Sequence, residues 1–193
     1  MTDHAFEESG LRLNFPPGKS FRLQDLSSYR CLCGQALKEM DVGWQGQNNQ
    51  LYLLEVRDYR NLTVHLALDD LVPASKGSPP YRFTALVDKV TDTLLQLLAV
   101  RAGTKAGQRL AADMPTFARS RAPLKLIIAL GLPDHLRVHM GAIRQRLNVR
   151  LKGRLALVDV DSIAVLDYQG LNQRAPQLGL GCQVMPCAEA ANR

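Results

Sequence analysis

Long apolar runs are missing from this chain. The longest, "LIIAL" at 126–130, covers about five residues against the roughly 20 that cross a bilayer, so no membrane-spanning helix is expected. A secretory leader is missing as well: "MTDHAFEES" opens acidic and polar, which argues against export and makes the cytoplasm the expected location. Cysteine is scarce, and Cys31, Cys33, Cys182 and Cys187 follow neither a disulfide framework nor paired zinc spacing, so reduced thiols are expected. No glycine-rich fingerprint follows a strand to hold a dinucleotide, and no motif supports a serine or cysteine hydrolase. "GKS" at 18–20 lacks the earlier glycine of a phosphate-binding loop, because Leu13 stands there.

What is present fits one globular domain over 1–193. Hydrophobic residues make up 46% and charged residues 22%, a balance that favours a packed core over disorder. The net charge of +6 is concentrated rather than spread. Residues 101–154 hold 12 Lys/Arg against 2 Asp/Glu, whereas residues 1–100 hold 10 against 12. A block of that sign attracts a phosphate backbone by counterion release, so nucleic acid is the expected partner, with Arg137, Arg144, Arg146, Arg150 and Lys152 as candidate contacts. DNA and RNA are both compatible with it, as are a homo-oligomer and a protein partner.

The periodicities give a mixed α/β order. "LRLNF" (11–15) and "SFRLQDL" (20–26) read as strands around the turn "PPGK". From 81 to 101, Phe83, Leu86, Val87, Val90, Leu94, Leu97 and Leu98 recur at three and four, predicting a helix that Gly103 stops. A weaker helix precedes Pro115, and "LKLIIALG" (124–131), apolar on both faces, predicts a central strand. "PDHLRVHMGAIRQRLNV" reads as a basic amphipathic helix with Leu136, Met140, Ile143 and Leu147 inward. "RLALVDV" (154–160) reads as another strand, "SIAVLDYQ" as strand or helix, and 173–193 as a loosely ordered tail.

Two alternating segments around a Gly/Asn-rich loop, "ALKEMDVGWQGQNNQLYLLEVRDY", predict a β-hairpin. If paired residues sum to 96, Trp44 faces Tyr52, Val42 faces Leu54 and Met40 faces Val56 on one apolar side. A slip by one residue would set Val42 against Glu55, so the even register is preferred. On the other side Asp41 then stands opposite Glu55, and Glu39 opposite Arg57. Two opposed carboxylates repel unless a cation lies between them, either a divalent metal or a basic side chain.

That arrangement, "EMD" and then "LYLLEVR" on the next strand, resembles the PD-(D/E)XK nuclease-like superfamily over some two-thirds of the chain. The resemblance implies a restriction-endonuclease-like αβββαβ core over about 5–131, a mixed central sheet flanked by helices, with 132–172 adding a basic helix and a strand. It implies that Asp41 and Glu55 bind Mg²⁺ or Mn²⁺ and that Arg57 occupies the lysine position, with Asp41, Glu55 and Arg57 as the catalytic set. Glu39 is a further ligand or supporting acid. The sequence departs from the pattern in three places. Met40 stands where proline is usual, the N-terminal helix reduces to the segment around Glu7 and Glu8, and Arg57 cannot act as a base, since a guanidinium keeps its proton. Lys89 and Lys125 are the lysines on the next helix and strand. The implied activity is phosphodiester hydrolysis; the alternative is a non-catalytic nucleic-acid-binding or scaffold protein that keeps the fold.

Other constellations carry less. His135 and His139 have the spacing of a zinc pair but lack a neighbouring glutamate, and read as a helix face. Asp159, Asp161 and Asp167 read as a solvated strand end, and Trp44 with Tyr52 as a cross-strand core pair.

Overall fold

The computed structural model describes residues 4–33, 37–62, 66–74 and 77–186. The strands are β1 (His4–Glu8), β2 (Leu11–Phe15), β3 (Ser20–Phe21), β4 (Val42–Gln45), β5 (Leu51–Asp58), β6 (Leu124–Gly131), β7 (Ala164–Asp167) and β8 (Gly181–Val184). The helices are α1 (Ser27–Cys33), α2 (Tyr81–Ala102), α3 (Lys105–Asp113), α4 (Thr116–Arg119), α5 (Asp134–Arg137), α6 (Met140–Ala156) and α7 (Tyr168–Leu178). No helix among the described residues is long and apolar enough to cross a membrane.

The fold is mixed α/β. A five-stranded sheet runs β3-β4-β5-β6-β7, antiparallel across the first three strands and parallel from β5 to β7. Both parallel steps need a helical crossover, supplied by α2 and α6. Both helices pack on the same face, over Leu51, Leu53, Leu126, Ile128 and Leu130. The opposite face, with Trp44, Leu54, Val56, Ile127 and Ala129, packs against α7 and a small antiparallel sheet of order β1-β2-β8. β6 thus contributes side chains to two cores, which is why its sequence is apolar without alternation. The edge strands β3 and β7 have 2 and 4 residues, against 8 for each of β5 and β6.

The hairpin keeps the predicted register: Val42 pairs with Leu54 and Trp44 with Tyr52. The two rings stack with centroids 4.9 Å apart, and the Trp44 indole N–H donates to the Leu178 carbonyl at 3.0 Å. Gly43 is required by close approach, since a Cβ there would lie 2.4 Å from the Phe21 ring. α2 ends as its sequence predicts, with Gly103 in the left-handed region at φ 67°.

Several expectations give way. Only Ser20 and Phe21 of 20–26 are strand; Leu23–Asp25 forms a 3-10 turn leading into α1. The segment around Glu7 and Glu8 is a strand, and α1 follows β3 instead of preceding the sheet. "RLALVDV" is no strand: α6 continues to Ala156, because Ile143, Leu147, Leu151 and Leu155 form a buried stripe at spacing four. Its two-residue alternation, at Leu155 and Leu157, is broken by Leu157 lying 74% exposed. The expected loose tail holds the end of α7 and all of β8, because Leu13 pairs with Cys182 and Leu180 is buried beside Leu11 and Leu13. Residues 187–193, including Cys187, lie outside the described residues. Cys182 is a free, half-buried thiol, and burial pushes it up to about 11.

The helical reading of α6 has a direct test. In a strand Leu155 and Leu157 would point to the same face; in the structure Leu155 is buried at the end of α6 and Leu157 is exposed. Leu155→Ala is expected to cost about 2–5 kcal/mol in urea unfolding, and Leu157→Ala less than about 0.5 kcal/mol. Equal losses would contradict the assignment.

Candidate functional site

The hydrogen-bonded ladder of β4 and β5 stops at Val42, so Asp41 is held by something other than its cross-strand partner's backbone. Its Oδ2 accepts the Val56 N–H at 2.7 Å. The preceding residues leave the sheet and dock on α2. The Lys38 N–H donates to Asp92 at 3.0 Å and the Met40 N–H to the Thr93 hydroxyl at 2.9 Å, while Gln96 donates to the Lys38 carbonyl at 3.3 Å. Lys38 Nζ adds an ion pair to Asp88 at 2.8 Å. Residues 88, 92 and 96, and 89 and 93, advance by four along α2, which sets them on one side of the helix.

The chain's departure from the sheet moves two residues from their expected places. Met40 packs in the core beneath α2 rather than beside Val42 and Trp44. Glu39 does not face Arg57; it accepts the hydroxyl of Tyr29 on α1, which makes it a bracket between α1 and this segment.

Asp41 and Glu55 converge, and the cation between them is Lys89 of α2. Its Nζ lies 3.1 Å from Asp41 Oδ1 and 3.0 Å from Glu55 Oε2. Glu55 has no solvent exposure, and the Lys89 and Asp41 side chains are 16% and 11% exposed. Arg57, 31% exposed, brings Nη2 to 2.7 Å from Glu55 Oε1. That contact is close but poorly aligned, so Oε1 is buried without a hydrogen bond. Burial first, and the charge of Asp41 next, push the Glu55 carboxyl up to about 8, against the opposing pull of Lys89 and Arg57. Lys125, in contrast, is exposed on β6 at the level of Tyr52 and takes no part.

Four of the five basic candidates, Arg144, Arg146, Arg150 and Lys152, are exposed on α6 and form no ion pair among the described residues. Arg137 differs. It bridges Asp134 at 3.5 Å and Asp167 at 3.0 Å and donates to Gln169 at 2.8 Å, tying α5 to the start of α7. Its charge is therefore neutralised within the fold. Asp167 also caps α7 by accepting the Gly170 N–H, and Asp159 sits in a turn at φ 55°. His135 contacts the Leu66 carbonyl at 3.2 Å rather than pairing with His139, which precedes α6 as its cap residue.

Lys89 is the residue whose role sequence reasoning left open. Its signal was weak: a lysine in the polar stripe of a helix otherwise patterned by its apolar one. Comparison with protein-family models, curated proteins and solved structures finds no match.

The raised Glu55 carboxyl has a definite linkage sign. Between about 4.5 and about 8 the folded protein retains a proton that the unfolded chain releases, so this group lowers stability as pH rises through that window. Glu55→Gln removes the titration. In paired urea titrations the variant is expected to gain on the metal-free wild type steadily from pH 5 to pH 8. A stability difference independent of pH would rule out the shift.

Proposed function

We propose that this chain is a metal-dependent nuclease of the PD-(D/E)XK kind, in which Asp41 and Glu55 hold Mg²⁺ or Mn²⁺ and Lys89, reaching in from α2, takes the place of the lysine that Arg57 replaced. The observation that carries this reading is the convergence of two carboxylates on one lysine, each within 3.1 Å of its ammonium, from three separate parts of the chain. The core reading is supported by the order of an antiparallel β3-β4-β5 meander, a crossover helix α2 and a parallel β6, with α1 set between β3 and β4.

The donor set suits the cation. Mg²⁺ takes one or two carboxylates and completes its shell with water and substrate phosphate oxygens. Asp41 Oδ1 and the Glu55 oxygens are of that type, and Glu55 Oε1 is buried with no hydrogen bond of its own. Among the described residues no cluster of three or more metal-ligating acids, histidines or cysteines gathers, and on this reading water and substrate oxygens would fill the positions the two carboxylates leave. Lys89 supplies the neutralising charge between them, and metal entry competes with its ammonium. When bound, the cation would polarise the scissile phosphate and activate water.

The protein's own groups divide the remaining work. Lysine is a residue type able to exchange a proton, and Lys89 sits where it can hold a phosphate oxygen or orient the attacking water. Arg57 is the more exposed cation and offers a planar fork to the non-bridging oxygens, stabilising charge as it develops. Arg144, Arg146, Arg150 and Lys152 attract the nucleic-acid backbone without reading its sequence.

The complete burial of Glu55 favours a second reading, a non-catalytic nucleic-acid-binding or scaffold protein in which Lys89 stands permanently in place of metal. Plasmid and single-stranded DNA and RNA incubated with Mg²⁺ or Mn²⁺ separate the two. Cleavage abolished by Asp41→Ala and Glu55→Ala, and reduced about 10²–10³-fold by Lys89→Ala, is the expected result. Binding without cleavage by the wild type supports the second reading, and cleavage appearing on Arg57→Lys would mark a decayed site.

A further inference from the structure

Cationic lining continues past Arg57. Along β5 the side chains at 55 and 57 share one face with Tyr59, just beyond the strand's end, because alternate residues point the same way. α2 runs back over that face from its start at Tyr81. In its first turn stands Arg82, with the guanidinium carbon 5.7 Å from the centre of the Tyr59 ring. Lys89 lies seven residues, about two turns, further along the same side.

Arg82 has no carboxylate partner among the described residues, and its Nε is buried without a hydrogen bond. Tyr59 is 9% exposed, and both guanidinium groups act on it: burial pushes its hydroxyl above the ordinary value, while Arg57 and then Arg82 pull it down. The start of α2 adds to the same field, with Pro80 at the cap position, no side-chain cap and no acid in the first turn. Two guanidinium groups act on a buried ring and have one carboxylate contact, that of Arg57 with the fully buried Glu55, so an excess of positive charge remains that a bound anion would balance.

We infer that Arg57 and Arg82, the latter against the Tyr59 ring, form a second phosphate subsite that holds a backbone phosphodiester further along the same strand from the one at Asp41, Glu55 and Lys89. This rests on the nuclease reading for the identity of the neighbouring site. The dimensions suit a strand: four residues of β5 span about 13 Å and seven of α2 about 10 Å, room for several phosphates at about 3.4 Å of duplex axis each. Arg82 touches no metal ligand, so its task is holding substrate in register rather than chemistry.

The test measures binding of single- and double-stranded oligonucleotides by fluorescence anisotropy over a range of salt, with Ca²⁺ replacing Mg²⁺ to suppress cleavage. Arg82→Ala is expected to weaken binding about tenfold and to lower the salt slope by about one phosphate contact, while Arg82→Lys retains the slope. In cleavage assays Arg82→Ala should raise KM with kcat within about twofold of wild type. Circular dichroism confirms that each variant is folded, and Arg82→Gln, expected to show the same losses, carries the comparison if the alanine variant is not. Unchanged affinity and slope in a folded variant overturn the subsite, even if Asp41→Ala still abolishes cleavage. Weakened binding by Arg82→Ala in a wild type that never cleaves supports the subsite and rejects the nuclease reading alone. Capture of inorganic phosphate with no effect on oligonucleotide binding overturns the strand assignment.

Discussion

A carboxyl group with no exposure, set in the middle of a sheet, has to be compensated by its neighbours or remain protonated. Glu55 is in that position, and the arrangement around it follows from the need. Lys89 brings an ammonium to one oxygen, Arg57 a guanidinium to the other, and Asp41 completes the charge balance while resisting ionisation of Glu55. The bridge from Lys89 to both acids also joins three parts of the chain that the sequence separates: the segment before β4, the middle of β5 and the third turn of α2. Loss of that cation would leave two acids facing each other with Arg57 as the counter-charge in contact among the described residues.

The Lys89 bridge depends in turn on how the approach to β4 is held. Residues 37–41 pair with no strand among the described residues, and the Lys38 and Met40 N–H groups and the Lys38 carbonyl meet side chains of α2 instead. Asp92, Thr93 and Gln96 act as a substitute strand, and two of them, Thr93 and Gln96, are themselves buried. Geometry at the site is thereby linked to the seating of a helix, since the contacts that fix Asp41 and the cation it meets come from the same face of α2. Tyr29, bonded to Glu39 and to the Leu37 carbonyl at 3.3 Å, extends the bracket to α1.

Local pattern made much of this legible. The hairpin register followed from period-two alternation and a turn-rich loop, α2 from its apolar repeat and Gly103, and β6 from an unbroken apolar run. The convergence of Asp41 with Glu55 was legible for the same reason. Features set by tertiary contact were not. Glu39 and Met40 were assigned by extrapolating the ladder past Val42, where docking on α2 overrides it. "RLALVDV" presents two periods at once, and only the stripe begun at Ile143 decides for helix. Arg137 looked like one more member of a basic block until its partners Asp134 and Asp167, one nearby and one 30 residues on, were brought beside it. Lys89 could be counted but not located, because a crossover connection decides which helix face meets the strand.

The short outer strands carry a consequence for assembly. An edge of 2 residues at β3 and one of 4 at β7 offer few unpaired backbone groups on which a neighbouring molecule could continue the sheet. The long strands β5 and β6, whose apolar sequences would template aggregation if uncovered, are interior to the sheet. Continuation of the five-stranded sheet into a neighbouring molecule is therefore disfavoured, and the concentrated basic face of α6 discourages close approach of like-charged copies.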